Sequence, residues 1–168
     1  MKAILMSIRP EWCDLIIRHK KTVELRKTCP RLQTPFKVYI WCTKARTFWA
    51  RVHGNGWQQL DERVIGEFIC DDIRRIGPEY CVVKEDIESA IAGSCLTVPQ
   101  VKDYAGWKSG LSYADLKDLY GWHISDLRIY DRPRKLQELT GLRNTRFGME
   151  PVEITHPPQS WGYVEDGK

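Results

Sequence analysis

Arg18-His19-Lys20-Lys21-Thr22-Val23-Glu24-Leu25-Arg26 is the stretch on which the reading of this chain turns. Strand side chains alternate between faces, so a strand from Val23 sends Glu24 and Arg26 to one side and Val23 and Leu25 to the other. Lys21 stands just upstream of the two charges. Such a trio is either a solvated strand face or the polar floor of a pocket. Exposed charge clusters are common and worth little, so spacing alone favours the solvated face.

Upstream, residues 2–8 read as a strand that opens the domain, and Pro10 fits the first turn of a helix. Trp12, Leu15 and Ile16 follow at i, i+3 and i+4 and give that helix one apolar face. Arg18, His19, Lys20 and Lys21 crowd its end, where positive charge suits the helix dipole. Downstream, Thr22–Lys27 is the second strand, Cys29-Pro30 and Thr34-Pro35 break the chain, and Phe36–Thr43 is a β-prone third strand.

Residues 44–63 form a variable loop with a turn signal at Gly54-Asn55-Gly56. Val64–Ile76 returns to strand character, and Glu85–Ala92 and Val98–Ala105 read as short helices. Ser112-Tyr113-Ala114-Asp115 resembles a capping box opening a helix through Tyr120, with Gly121 ending it. The span from about 84 to 120 is thus expected to be a helical insertion. Trp122–Tyr130 is a further strand, Val152-Glu153-Ile154 and Ser160–Val164 are expected to pair, and residues 165–168 to fray. The pattern predicts one α+β domain over residues 1–164, built on a small, mostly antiparallel β-barrel with inserted and flanking short helices.

A chain of 168 residues suffices for one well-buried core and is short for two. Its net charge of +4 permits a polyanionic partner without demanding one. None of the six cysteines forms a CxxC pair, so a zinc ribbon is not expected, and neither is a cofactor or a metal site. The N-terminus lacks a signal-peptide core and no apolar run reaches membrane-spanning length, so a reduced, cytoplasmic protein without disulfides and without a membrane partner is expected. Seven tryptophans exceed what one core readily absorbs, and tryptophan also stacks on bases and anchors interfaces.

His19-x-Lys21-x-x-Glu24-x-Arg26 resembles the Gly-x-Lys-x-x-Glu-x-Arg signature of ASCH domains, which are similar in fold to the RNA-binding PUA domain. Ser7-Ile8-Arg9-Pro10 and Gly66-Glu67-Phe68 fit the first and central strands of that family. Gly121-Trp122-His123-Ile124-Ser125 and Pro157-Pro158-Gln159-Ser160-Trp161 resemble the later blocks of its phage- and bacteria-encoded branch. The family's leading glycine is His19 here. If that glycine is a left-handed helix cap, histidine can adopt the conformation at modest cost; if it admits a ligand, His19 reshapes the site.

The resemblance implies a PUA-like fold and a cleft lined by Lys21, Glu24 and Arg26. Ser7, Tyr39, Trp122, His123, Ser125 and Trp161 join them as ligand- or RNA-binding candidates, and Thr43 is a weaker one. Lys21 would contact a phosphate or act as nucleophile or base, Glu24 would accept a base amino group or move a proton, and Arg26 would clamp a phosphate or orient Glu24. Trp122 or Trp161 would stack on a base. Arg46, Arg51 and Arg63, interleaved with Phe48, Trp49 and Trp57, form either a solvated loop or a surface for a nucleic-acid strand.

The leading expectation is a protein, monomeric by preference, that binds single-stranded RNA or a modified nucleoside or nucleotide. The resemblance implies a second, since some ASCH proteins are similar to small hydrolases: an acylated-cytidine amidohydrolase or a ribonuclease, with Lys21 and Glu24 as the catalytic pair. There Glu67 would be a second carboxylate, or His123 would share acid–base duty with Lys21. In the amidohydrolase pattern Glu24 occupies a threonine-like position, with Thr22 out of phase. A third is a protein-interaction, coactivator-like module anchored by exposed tryptophans.

Overall fold

A computed structural model of the chain describes residues 1–46, 48–51, 56–81, 84–108, 110–112 and 115–167. The opening strand β1 (Lys2–Ile8) is apolar at nearly every position because both its faces are covered. Ile4, Met6 and Ile8 enter one core, and Ala3 and Leu5 enter a second on the opposite face. Helix α1 (Pro10–Ile17) follows, then β2 (Val23–Arg26) and β3 (Phe36–Cys42), which lies parallel to β1. β3 repeats the division: Phe36, Val38, Ile40 and Cys42 face the first core, Tyr39 and Trp41 the second.

The remaining strands are β4 (Trp49–Arg51), β5 (Trp57–Gln59), β6 (Arg63–Cys70), β7 (Ile73–Ile76), β8 (Leu119–His123), β9 (Ser125–Arg134), β10 (Thr140–Thr145), β11 (Gly148–Glu153) and β12 (Trp161–Glu165). Helices α2 (Lys84–Ala90) and α3 (Val98–Ala105) lie between β7 and β8. Seven strands form one mixed sheet in the order β11-β10-β12-β1-β3-β6-β9, and β2-β8-β7 form a second. The expected barrel does not close: its terminal strands β11 and β9 pair with β10 and β6 and not with each other. The second sheet lays Trp122 on the first core, with Ile124 just beyond the end of β8, while its other face carries Leu25, Ile76 and Leu119 into a third core under α2 and α3.

Other expectations need correction. Leu119–His123 is a strand and no helix runs through Tyr120, because pairing to both β2 and β7 outweighs local cap signals. Tyr113 and Ala114 of the expected capping box lie outside the described residues, as do Gly54 and Asn55 of the expected turn. Gly121 caps nothing; it lies in β8, where a Cβ would come 3.2 Å from Val23 Cγ1. The continuous strands expected at 64–76 and 122–130 are each broken in two. Residues 152–154 and 160–164 do not pair with each other, since β11 pairs with β10, and β12 with β1 and β10. The chain end is tied down: the Asp166 amide donates to Met1 O at 2.8 Å and its carboxylate meets Lys37 Nζ at 2.7 Å.

His19 is the residue that turns the chain from α1 towards β2, and its φ is +55°. The Lys20 amide donates to Leu15 O and the His19 amide to Ile16 O, both at 2.9 Å, the paired bonds of a Schellman cap. Replacing His19 with glycine removes the Cβ strain of this left-handed position. It is expected to stabilise the fold by about 0.5–1 kcal/mol, after the entropy cost of glycine. A thermal melt should show a gain of roughly 1–4 °C for a chain of this size; an unchanged or lower midpoint would show that the cap carries no strain.

Candidate functional site

The alternation of β2 sends Val23 and Leu25 to the helices and Glu24 and Arg26 between the two sheets. The turn after α1 delivers Lys21 to the same place. All three charged residues are buried, at 2% exposure for Lys21, 6% for Glu24 and 8% for Arg26. Glu24 stands between the two cations: Oε2 is 3.2 Å from Lys21 Nζ and Oε1 is 2.9 Å from Arg26 Nη2. Lys21 Nζ also donates to Ser94 O at 2.6 Å and lies 5.1 Å from the centre of the Trp12 ring. Arg26 Nη2 donates to Ser7 O at 2.7 Å, and Nη1 reaches Ser160 Oγ at 3.3 Å.

Burying an ion pair costs desolvation that mutual attraction only roughly repays, so this triad is not placed here for stability. It carries one net positive charge. Arg26 Nε is buried and has no partner among the described residues. Glu24 Oε2 likewise forms no hydrogen bond among the described residues beyond its ion pair with Lys21, and a buried polar group left unbonded costs roughly 1–3 kcal/mol.

The triad forms the floor of a cleft of about 560 Å³, walled by Ser7, Arg9, Trp12, Thr43, Asp103 and Tyr104, with Leu96, Gln159 and Ser160 at its margins. Three layers of structure meet here: the ends of β1 and β3, the loop before β12, and the α2–α3 insertion. Thr97 closes a capping box with Gln100 and Gly106 ends α3 in a left-handed turn, so the helix carrying Tyr104 is fixed at both ends. Tyr104 keeps 38% of its surface exposed while lining the cleft, with Lys27 Nζ 5.0 Å from its ring centre. Burial raises its hydroxyl pKa above the ordinary tyrosine value, so it is a neutral hydrogen-bonding group at neutral pH.

Of the residues expected at the site, the structure brings together Ser7, Lys21, Glu24, Arg26 and Thr43. Ser7 contributes mainly its backbone, because its hydroxyl donates to Pro158 O at 2.5 Å. Five others stand elsewhere. Trp122, opposite Glu24 in the strand register, is fully buried beneath the triad in the first core. Trp161 packs on Trp122 and Tyr163, and its Nε1 donates to Thr28 Oγ1 at 3.0 Å. Tyr39 points to the opposite face of the main sheet, where its hydroxyl meets Asp166. His123 is exposed and paired with Asp71 at 2.6 Å, and the Ser125 hydroxyl donates to Ile69 O.

The accessory groups of the hydrolase expectation are likewise dispersed. Glu67 accepts a short hydrogen bond from Tyr130, a residue of the second core. Thr22 Oγ1 faces Gly93 instead of Lys21. The residues that sequence reasoning missed are Arg9, Trp12, Leu96, Asp103, Tyr104 and Gln159. Trp12 packs against the first core, as its helical spacing with Leu15 and Ile16 implies, and it lines the cleft as well, which that spacing does not reveal. Tyr104 had a usable one: it is an aromatic residue on the polar side of a capped helix.

No protein-family model matches this sequence, and no curated protein does. Among solved structures, the crystal structure of ASCH from Zymomonas mobilis is similar over 97% of this chain and 87% of its own, with a TM-score of 0.62 at 20% identity. A point mutant of the same protein gives a TM-score of 0.61 at 18% identity, over 97% of this chain and 88% of its own. At that identity the likeness speaks for the fold. The chain has the fold of an ASCH domain protein.

Proposed function

We propose that the cleft binds one base of a single-stranded RNA, or a modified nucleoside or nucleotide, on a PUA-like scaffold in a reducing, cytoplasmic setting. The observation that carries this reading is a buried Lys21–Glu24–Arg26 triad of one net positive charge, forming the floor of a cleft walled by a partly exposed tyrosine. Glu24 has both oxygens engaged by cations, so its part is to hold them in place. Arg26 and Thr43 offer hydrogen-bonding groups to a base edge or phosphate, and Tyr104 offers a stacking face. The ASCH fold adds support from RNA-related proteins, as fold-level analogy.

Tyr104→Ala is expected to weaken binding of nucleosides and short RNAs about tenfold, since stacking on one aromatic ring is worth about 1–3 kcal/mol. Lys21→Ala should weaken it comparably and flatten its salt dependence. Titration calorimetry against a panel of nucleosides and short single-stranded RNAs checks both. Affinity unchanged in both variants would remove the cleft from consideration. Turnover is the second reading, favoured by the 3.2 Å approach of Lys21 to Glu24 beside the cleft. Mass spectrometry of the same panel, with Lys21→Ala as control, would reveal a hydrolytic product.

A further inference from the structure

The hairpin β4–β5 has two unlike faces. Its register sets Trp49 opposite Gln59 and Ala50 opposite Gln58. Ala50 packs against the first core, and Gln58 Nε2 donates to Asp131 O at 2.9 Å. At the base, Leu60 is fully buried and its amide donates to Phe48 O. The hairpin is therefore fastened by its inner face and its stem. By strand alternation the outer face carries Trp49 and Trp57, at diagonal positions within reach of each other. They are 51% and 65% exposed. Two tryptophans this exposed on one face of a fastened element form an aromatic patch of the kind that marks an interaction surface.

The surroundings say what covers them. Lys44 and Arg46 are exposed on the segment leading into the hairpin, and Arg63 follows it at the start of β6. Arg132 is exposed near the end of β9, next to Asp131, the residue that Gln58 holds; Arg134 stacks instead on Tyr130 of the second core. The acidic residues of this region offset them only in part: Asp61 is buried, and Glu62 and Asp131 are exposed. Cations on the segments that flank the hairpin, together with a pair of exposed rings on its outer face, complement a flexible polyanion with flat faces, which is a single-stranded nucleic acid.

The hairpin also adjoins the cleft along the chain. Thr43 lines the cleft and Trp49 follows six residues later, which limits the separation of their Cα atoms to about 20 Å. A stacked single strand of about six nucleotides spans that distance, at about 3.4 Å per nucleotide.

We infer that the outer face of β4–β5 is a second nucleic-acid surface, on which Trp49 and Trp57 stack bases of the same strand that places another nucleotide in the cleft. This inference rests on the cleft reading and extends it: the ligand is an oligonucleotide, for which about six residues suffice to reach both surfaces, not a free nucleoside.

The test uses the whole protein and two probes. One is a fluorescently labelled, mixed-sequence single-stranded RNA octamer followed by anisotropy, and the other is a set of nucleoside monophosphates followed by calorimetry. Replacing both tryptophans with alanine is expected to cost the octamer at least tenfold in affinity and leave monophosphate binding unchanged. Replacing both with phenylalanine should restore most of the loss, which a merely misfolded hairpin would not allow.

If the alanine pair binds the octamer as the parent does while Tyr104→Ala weakens both probes, the hairpin inference fails and the cleft reading stands. If the parent binds neither probe, both fail together. If the alanine pair instead turns a dimer into a monomer in sedimentation, with octamer affinity unchanged, the face belongs to a second copy of the chain and the inference is overturned.

Discussion

Glu24→Ala is expected to destabilise the fold by about 3–5 kcal/mol, the cost of leaving buried charge uncompensated. The carboxylate now separates Lys21 from Arg26, and each cation uses it as its counter-charge. Without it two positive groups face each other at 2% and 8% exposure, with little water to screen them. The midpoint of thermal unfolding should fall by roughly 10 °C for a domain of this size. The informative contrast is the triple replacement Lys21→Met, Glu24→Leu, Arg26→Met. Exchanging a whole buried ionic cluster for apolar groups of similar volume is often neutral or stabilising. The triple variant should therefore melt at or above the parent and lose binding in the cleft. A single variant that melts like the parent would show that the three charges are not energetically coupled. A triple variant that is strongly destabilised would show that the triad is structural after all.

The N-terminal third of the fold was legible because its signals are local. Continuous apolar residues gave β1, the spacing of Trp12, Leu15 and Ile16 gave α1, and alternation gave β2 and the common face of Glu24 and Arg26. For His19 the sequence left two readings open, a left-handed cap or a reshaped ligand site, and its φ of +55° fits the cap. What failed was non-local. Whether a sheet closes depends on which strand edges meet, and nothing within β9 or β11 encodes that they do not. Leu119–His123 carries a helix-like preface and a glycine, and only its two neighbours in space make it a strand. The site divided in the same way. Lys21, Glu24 and Arg26 announce themselves by charge on one face of one strand. Arg9, Asp103 and Tyr104 arrive from other elements, and their meeting depends on how α3 seats over the sheet. Trp122 was the instructive error: it does share a face with Glu24, but that face is roofed by the main sheet.

Trp122→Ala carries the second large effect, and it separates a structural tryptophan from a ligand-stacking one. Trp122 is fully buried, with Phe36 edge-on at 5.7 Å and Trp161 tilted at 5.9 Å. Truncation leaves a cavity between the two sheets and should cost about 3–5 kcal/mol in urea denaturation. Trp122→Phe should cost far less, under about 1.5 kcal/mol. The indole Nε1 has no partner among the described residues, so phenylalanine removes an unpaid donor along with the lost volume. Ligand binding should show the opposite order. At a temperature where it remains folded, Trp122→Ala should bind nucleosides and RNA within a few-fold of the parent. Tyr104→Ala should be as stable as the parent to within about 1 kcal/mol, as expected for a partly exposed side chain, yet bind about tenfold more weakly. Measured together, the two variants give crossed effects on stability and affinity. Parallel effects would mean that the core and the cleft are one cooperative unit. A large affinity loss confined to Trp122→Ala would return the stacking role to the tryptophan and remove it from Tyr104.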